Sequence, residues 1–248
     1  DWSSDVCSSD LGEVHAICGE NGAGKSTLMK ILSGVYQPDA GVLEVGGAEA
    51  RFRGTRDAER AGIAIIHQEL ALVEDLPVAA NVFLGRERRG PLGLVDDRSM
   101  EEECAGLFAQ LECGVSPRDR TGNLRVGDQQ LVEIAKALSL DASIVVMDEP
   151  TSALTEAESA RLERTIRRLV AGGATILYIS HKMDEVFRLA DRITVLRDGR
   201  HVRTVDRAAT SPREITGWMV GRDIAGHEFH RGRPRGERLL EVHELSLP

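Results

Sequence analysis

Residues 19–27 read GENGAGKST, placing three glycines, a lysine and two hydroxyls at the spacing G-x-x-x-x-G-K-[ST]. The apolar run EVHAIC (13–18) precedes them and the helix-forming KSTLMKIL (25–32) follows. Glycines at Gly19, Gly22 and Gly24 let successive backbone N–H groups turn inward around phosphate oxygens. Lys25 would reach β- and γ-phosphates, and the Ser26 hydroxyl would ligate Mg²⁺. Gly19, Asn21, Gly22, Ala23, Gly24, Lys25, Ser26 and Thr27 are therefore the candidate phosphate-binding residues. A glycine-rich turn that binds nothing is the bland reading, and the strand–loop–helix setting argues against it.

A second chemical grouping lies far along the chain. SIVVMDEP (143–150) is a hydrophobic run ending in Asp148 and Glu149. Asp148 can hold Mg²⁺ through water, while Glu149 can orient and deprotonate an attacking water. An acid pair after a strand also caps helices, and only the phosphate loop elsewhere makes that the lesser reading. Gln68 ends the strand GIAIIHQ (62–68), where its amide could touch both metal and water. His181 follows ATILYIS (174–180), where an imidazole could donate to a γ-phosphate. Either alone would be an ordinary structural residue, and His67 carries no assigned role.

The elements that must position these groups are legible in the patterning. The near-continuous apolar strands at 13–18, 62–68, 143–148 and 174–180, with RITVLRDG (192–199), suit a parallel sheet covered on both faces. Helices at 25–32, 155–171 and near 182–190 alternate with them, as in an α/β fold. GVLEVGG (41–47) and AEARFR (48–53) read as a hairpin beside that core. From about 75 to 140 helices and polar loops interrupt the alternation, MEEECAGLFAQL (100–111) being the clearest helix. Residues 222–238 are polar and rich in Gly and Arg, as in a linker. LLEVHELSLP (239–248) then reads as the truncated start of a further domain.

Composition narrows the function classes. Hydrophobic residues make up 42% of the 248-residue chain and charged residues 29%, a globular balance. The net charge of −9 argues against binding nucleic acid through bulk positive charge. No run reaches the roughly 18 apolar residues that a membrane span needs. Cys7, Cys18, Cys104 and Cys113 show neither disulfide-framework nor zinc-site spacing, so reduced thiols are expected. The opening DWSSDVCSSDL lacks the pattern of a signal peptide.

The ordered set GENGAGKST, HQE, a VGDQQ loop opening a helix, VVMDEPTSAL and ISH resembles an ABC-type ATPase. The stretches AIIHQELALVEDLPVAANVFLGRE, MDEPTSALTEAE, YISHKMDEVFRLADRITVLRDGR and WMVGRD are similar to ATP-binding subunits of ribose-, galactose- and xylose-type monosaccharide importers. The resemblance runs from about residue 12 to 248. It implies an α/β P-loop NTPase with a RecA-like parallel-sheet core, a small antiparallel β subdomain and an inserted helical subdomain, the ATPase domain spanning 12–221. It also implies ATP and Mg²⁺ as cofactors, with Ser26, Gln68 and Asp148 at the metal and Glu149, His181 and Gln68 in catalysis. The implied partners are transmembrane sugar permease subunits, a second ATPase half in the same polypeptide and, indirectly, an extracytoplasmic sugar-binding protein. The place of action would be the cytoplasmic face of the membrane. A soluble tandem ABC ATPase acting on ribosomes or DNA, and a nucleotide-binding regulatory half without turnover, are the competing readings.

Two departures from the family accompany the resemblance. The family has a strand before GEVHAI with an aromatic that stacks on adenine, whereas residues 1–11 here read as foreign, so no adenine-stacking residue is assigned. Residues 124–128 match the family's signature loop, which faces the phosphate loop of the opposite half, with Arg125, Val126 and Gly127 as nucleotide contacts. Arg125 stands where the family has Ser. A guanidinium could replace the hydroxyl with a charge-assisted phosphate contact, but its bulk is expected to obstruct.

Overall fold

The computed structural model describes residues 12–67 and 70–221. The expectations for residues 1–11, for Gln68, for the linker and for the strand after it fall outside the described residues.

Chain order is β1 (Val14–Cys18), α1 (Lys25–Leu32), β2 (Leu43–Val45), β3 (Ala48–Ala50), α2 (Thr55–Arg60), β4 (Ile63–Ile66), α3 (Val78–Val82), α4 (Asp97–Gln110) and α5 (Val126–Leu138). It continues with β5 (Ile144–Asp148), α6 (Glu156–Ala171), β6 (Thr175–Ile179), α7 (Met183–Leu189), β7 (Arg192–Arg197), β8 (Arg200–Asp206) and α8 (Pro212–Val220). The main sheet has the order β4-β5-β6-β1-β7-β8. Its first five strands are parallel and β8 runs antiparallel to β7. Strands β2 and β3 pair antiparallel as a separate hairpin.

The parallel strands are apolar on both faces because both faces are covered, and residue parity decides the side. Val14, Ala64, Ile66, Val145, Met147, Ile176 and Tyr178 pack on one side with Leu131 and Ile134 of α5 and Leu162 and Ile166 of α6. Ile17, Ile63, Val146, Leu177 and Ile179 pack on the other with Met29 of α1, Ala58 of α2 and Phe52. Helices α3, α4 and α5 belong to the first cluster, so the inserted helices share a continuous core with the sheet rather than a core of their own. Cys18 and Cys104 are buried free thiols, and burial pushes both up to about 12.

Three elements had no counterpart in the sequence reading, although two of them carried a local signal. Strand β8 follows Asp198-Gly199, whose φ values of 52° and 72° make the two-residue turn that Asp-Gly favours. Helix α8 opens on a capping box between Ser211 and Glu214, with proline in its first turn, and closes at left-handed Gly221. Helix α2 is only six residues long and has no side-chain cap.

The polar loops entering and leaving the helical insertion are sewn together at its base. Val78 N–H donates to Asp119 O, Ala79 N–H to Pro117 O, Thr121 N–H to Leu76 O and Gly122 N–H to Glu74 O. Fully buried Asn81 completes the seam. Its amide nitrogen donates to Val73 O and Thr121 Oγ1, and its oxygen accepts from Val73 N–H, all at 2.8 Å. Asn81→Ala would remove three hydrogen bonds and leave Val73 N–H without its acceptor, while Thr121 Oγ1 keeps its bond to Leu76 O and Val73 O that from Leu76 N–H, lowering stability by about 2 kcal/mol. Urea unfolding should show the midpoint falling with its slope unchanged.

Candidate functional site

Parallel pairing puts the carboxyl ends of β1, β4, β5 and β6 at one edge of the sheet, and the chemistry-bearing residues emerge there. Register fixes the arrangement: Ile17 pairs with Ile179, Asp148 with Ile179, and Met147 with Ile66. Segments far apart in the chain, Gly19–Thr27 and Asp148–Glu149, thus arrive at the same edge.

Past the end of β1, the glycine loop has little room for side chains. A Cβ on Gly19 would lie 2.6 Å from Leu196 O and 2.8 Å from Ala23 Cβ. Gly22 and Gly24 have φ of 85° and 102°, the left-handed region glycine adopts without strain. Gly24 is the N-cap of α1, and no side chain caps that helix or places an acid in its first turn. The first N–H groups of α1 therefore remain available to an anion. Lys25 Nζ donates to Gly19 O at 2.7 Å and Glu20 O at 3.0 Å, which holds its ammonium inside the curl of the loop. Asn21, Ser26 and Thr27 are exposed and make no side-chain hydrogen bond among the described residues. Uncommitted N–H donors at the entrance of α1 beside a lysine and two uncommitted hydroxyls fit a nucleotide's phosphates.

Asp148 is half-buried, and burial, followed by neighbouring Glu149, raises its carboxyl above the usual range, with Lys25 and His67 opposing. A site that disfavours a bare carboxylate suits a divalent cation, which would supply the missing positive charge. Among the described residues no group of three His, Cys, Asp or Glu is placed to hold a metal ion, so phosphate oxygens would help complete such a metal's shell. Lys25 and His67 are thus electrostatic neighbours of Asp148, an association the sequence reading did not assign to His67.

Glu149 carries the least ordinary backbone in the site. Its φ of 46° is left-handed for a residue with a side chain, and its N–H donates to Ile179 O at 2.9 Å. Oε1 of Glu149 meets His181 Nδ1 at 2.8 Å, so the two predicted catalytic groups touch directly. A polar knot that sequence reasoning missed holds the His181 loop in place. The buried carboxylate of Glu185, on α7, accepts from Thr151 Oγ1, Tyr178 OH, Ser180 Oγ and Lys182 Nζ at 2.8–3.2 Å. Burial works against its charge, but the donors from Thr151, Lys182 and Tyr178 prevail and hold its carboxyl below the usual range. The only sequence signal was the Glu three residues into the helix after ISHK.

The loop at 124–128 stands apart from this edge. Helix α5 begins at Val126, with Arg125 as an extended N-cap whose side chain makes no capping bond. Arg125 and Val126 are exposed and Gly127 is buried. Gln129 Nε2 donates back to Thr121 O and Leu124 O at 3.2 Å, bracing the approach to the helix. Among the described residues no hydrogen bond or ion pair joins 125–127 to 19–27, so the structure brings Asp148, Glu149, His181 and Lys25 together but leaves Arg125, Val126 and Gly127 outside.

Comparison with known proteins agrees with this geometry. A family model described as "ABC transporter" matches residues 7–152. The chain is 53% identical over 236 residues to a protein of Burkholderia cenocepacia (strain HI2424) named "Putative ribose/galactose/methyl galactoside import ATP-binding protein 3", covering 94% of this chain and 46% of that protein. It is 50% identical over 239 residues to the "Ribose import ATP-binding protein RbsA" of Chromobacterium violaceum, covering 95% of this chain and 47% of that protein. The chain thus spans about half the length of these curated relatives. Among solved structures, a nucleotide-free ATP-binding cassette from an ABC transporter superposes with a TM-score of 0.73 at 22% identity, over 84% of this chain and 88% of that one. The glycine loop, the acid pair, the sheet order and these likenesses lead to one conclusion: the chain belongs to the ABC transporter family and has the ATP-binding-cassette fold.

Proposed function

We propose that the full-length protein containing this chain binds and hydrolyses ATP to energise import of a monosaccharide through a membrane permease. The observation that carries the reading is the Glu149–His181 contact at the same sheet edge as the lysine-filled glycine loop. When bound, MgATP supplies the phosphoanhydride whose γ-phosphoryl group is transferred to water. The N–H groups of Gly22 and of Gly24 to Thr27 would hold the β- and γ-phosphates, and Lys25 would exchange two carbonyl acceptors for phosphate oxygens. Ser26 and Asp148, together with Gln68, would hold the metal. Glu149 orients the attacking water and takes its proton, and His181 fixes the Glu149 carboxylate that does so.

The remaining parts of the proposal concern partners. Arg125, Val126 and Gly127, away from this chain's own phosphate loop, suit a contact with nucleotide held by a second ATPase half. The partners are transmembrane permease subunits, that second half in the same polypeptide and, through the permease, an external sugar-binding protein. The protein works peripherally at the cytoplasmic face of the membrane. Among the described residues no helix is long and apolar enough to cross a membrane, and in this reading the permease supplies the path. The names of the relatives, which specify import of ribose and galactosides, support the sugar class.

The direct test is ATP turnover by the full-length protein reconstituted with its permease, with and without monosaccharide. Glu149→Gln keeps the shape and hydrogen bonding of the side chain but loses its basicity, so turnover should fall about 10²–10⁴-fold while ATP still binds. With the second phosphate site inactivated separately, unchanged turnover would remove Glu149 from this role.

Arg125→Ser bears on the other face. A serine N-cap would accept from an N–H of the first turn of α5, adding about 1 kcal/mol of stability where Arg125 adds none. It would also relieve bulk at a contact meant to close on nucleotide. The expected result is a higher unfolding midpoint and faster turnover at the site this loop serves. Slower turnover would identify Arg125 as a working phosphate ligand.

A further inference from the structure

Helices α5 and α6 meet at their entrances, and one carboxylate stands between them. Glu158, in the first turn of α6, forms a capping box with Thr155. Its Oε2 accepts from Thr155 N–H and Thr155 Oγ1, both at 2.8 Å. The same carboxylate lies against Gly127 in the first turn of α5. A Cβ built on Gly127 would fall 2.9 Å from Oε2, 3.0 Å from Oε1 and 3.2 Å from the carboxyl carbon. The capping bonds therefore fix the carboxylate, and the carboxylate fixes how closely α5 approaches.

Its charge suits both neighbours. The N–H and then the hydroxyl of Thr155 hold the Glu158 carboxyl below its usual range, with Arg161 and Arg125 adding smaller pulls in the same direction. An ionised carboxylate between two helix N-termini compensates the positive ends of both dipoles. Arg125 is thus electrostatically linked to Glu158 as well as adjacent in sequence to the glycine that Glu158 touches. Segment 149–158, which leads from the Glu149 end of β5 into α6, connects this chain's own catalytic edge to the spacer.

We propose that Glu158 is a positioning residue for the loop at 125–127: tied by Thr155, it sets the stand-off of the α5 entrance from α6, and so the place that loop presents to nucleotide on the opposite half. This rests on the ATPase reading above. Gly127 is glycine in this account because the carboxylate occupies the space of a side chain, independently of any need for close approach to phosphate.

The test uses the full-length protein with its permease, measured well below the unfolding temperature. Glu158→Ala removes the spacer, and Glu158→Gln keeps its length and its capping bonds. Expected for Glu158→Ala is a fall in kcat of at least about fivefold, with KM for ATP within about twofold of wild type, because ATP is held by a different loop. Glu158→Gln should restore kcat to within about twofold. A cap acting only on stability would instead lower the unfolding temperature and leave kcat per folded molecule unchanged, which would overturn the proposal. Should Glu158→Ala fail to fold, thermal unfolding of Gly127→Ala, Glu158→Asp and the double variant decides the matter. Shortening the acid should relieve the clash from the added methyl, so non-additive shifts uphold the spacer and additive shifts overturn it. Failure of the ATPase reading would show differently, as wild-type protein without nucleotide turnover, and would leave the unfolding cycle decisive for Glu158.

Discussion

The parallel pairing of β1 between β6 and β7 is the constraint on which the site depends. Parallel strands send every carboxyl end to the same edge, so Cys18, Asp148 and Ile179 each hand the chain over to a loop on that edge. A single residue of slip would turn the apolar faces of β1 inside out, exchanging Ile17 for Ala16 in the packing against α1. Register is therefore enforced by the core, and the site inherits its alignment from burial rather than from any contact between catalytic groups. The Glu149–His181 contact is a result of that alignment.

The edge itself was legible in the sequence because its devices are local. Glycines followed by Lys-Ser-Thr after an apolar run announce a strand, a loop and a helix that nothing distant has to confirm. Long apolar strands and a sixteen-residue amphipathic α6 likewise stand out from their own periodicity. The antiparallel extension β8 was missed although Asp198-Gly199 marked its turn, because the residues after the turn have no clean alternation: its burial runs exposed, two half-buried, exposed, two half-buried, exposed. What could not be read was anything made by residues far apart. The Glu185 knot joins five side chains between 151 and 185, and the Glu158–Gly127 contact joins two helices separated by a whole strand. Each requires knowing which helix entrances meet, and spacing along the chain does not encode that.

On the function proposed above, the chain presents two unlike surfaces to nucleotide. One is a finished cradle whose lysine, acid pair and histidine lie on a single edge. The other is a helix entrance with exposed Arg125 and Val126, which does nothing for the cradle of its own chain. A molecule divided in this way suits shared rather than private catalysis, because each surface is useful only when something complementary arrives. The physical link between them is short: β5 ends at Asp148, Glu149 follows, and nine residues later Glu158 touches the α5 entrance.

The seam beneath α3 and α4 has a topological consequence. Bonds from Gly122 to Glu74, Thr121 to Leu76 and Asn81 to Val73 and Thr121 close the intervening polypeptide into a ring whose two ends are pinned together. In entropic terms, the length of such a ring is cheap to alter, since doubling a flexible loop costs only about 0.6 kcal/mol more to close. Residues inserted or lost in the loop between α3 and α4 would therefore change the girth of the ring while its neck stays fixed. Arg125 lies just outside that neck. The helical excursion can thus drift in length, and in whatever its outer rim touches, while the entrance to α5 keeps its place above the sheet.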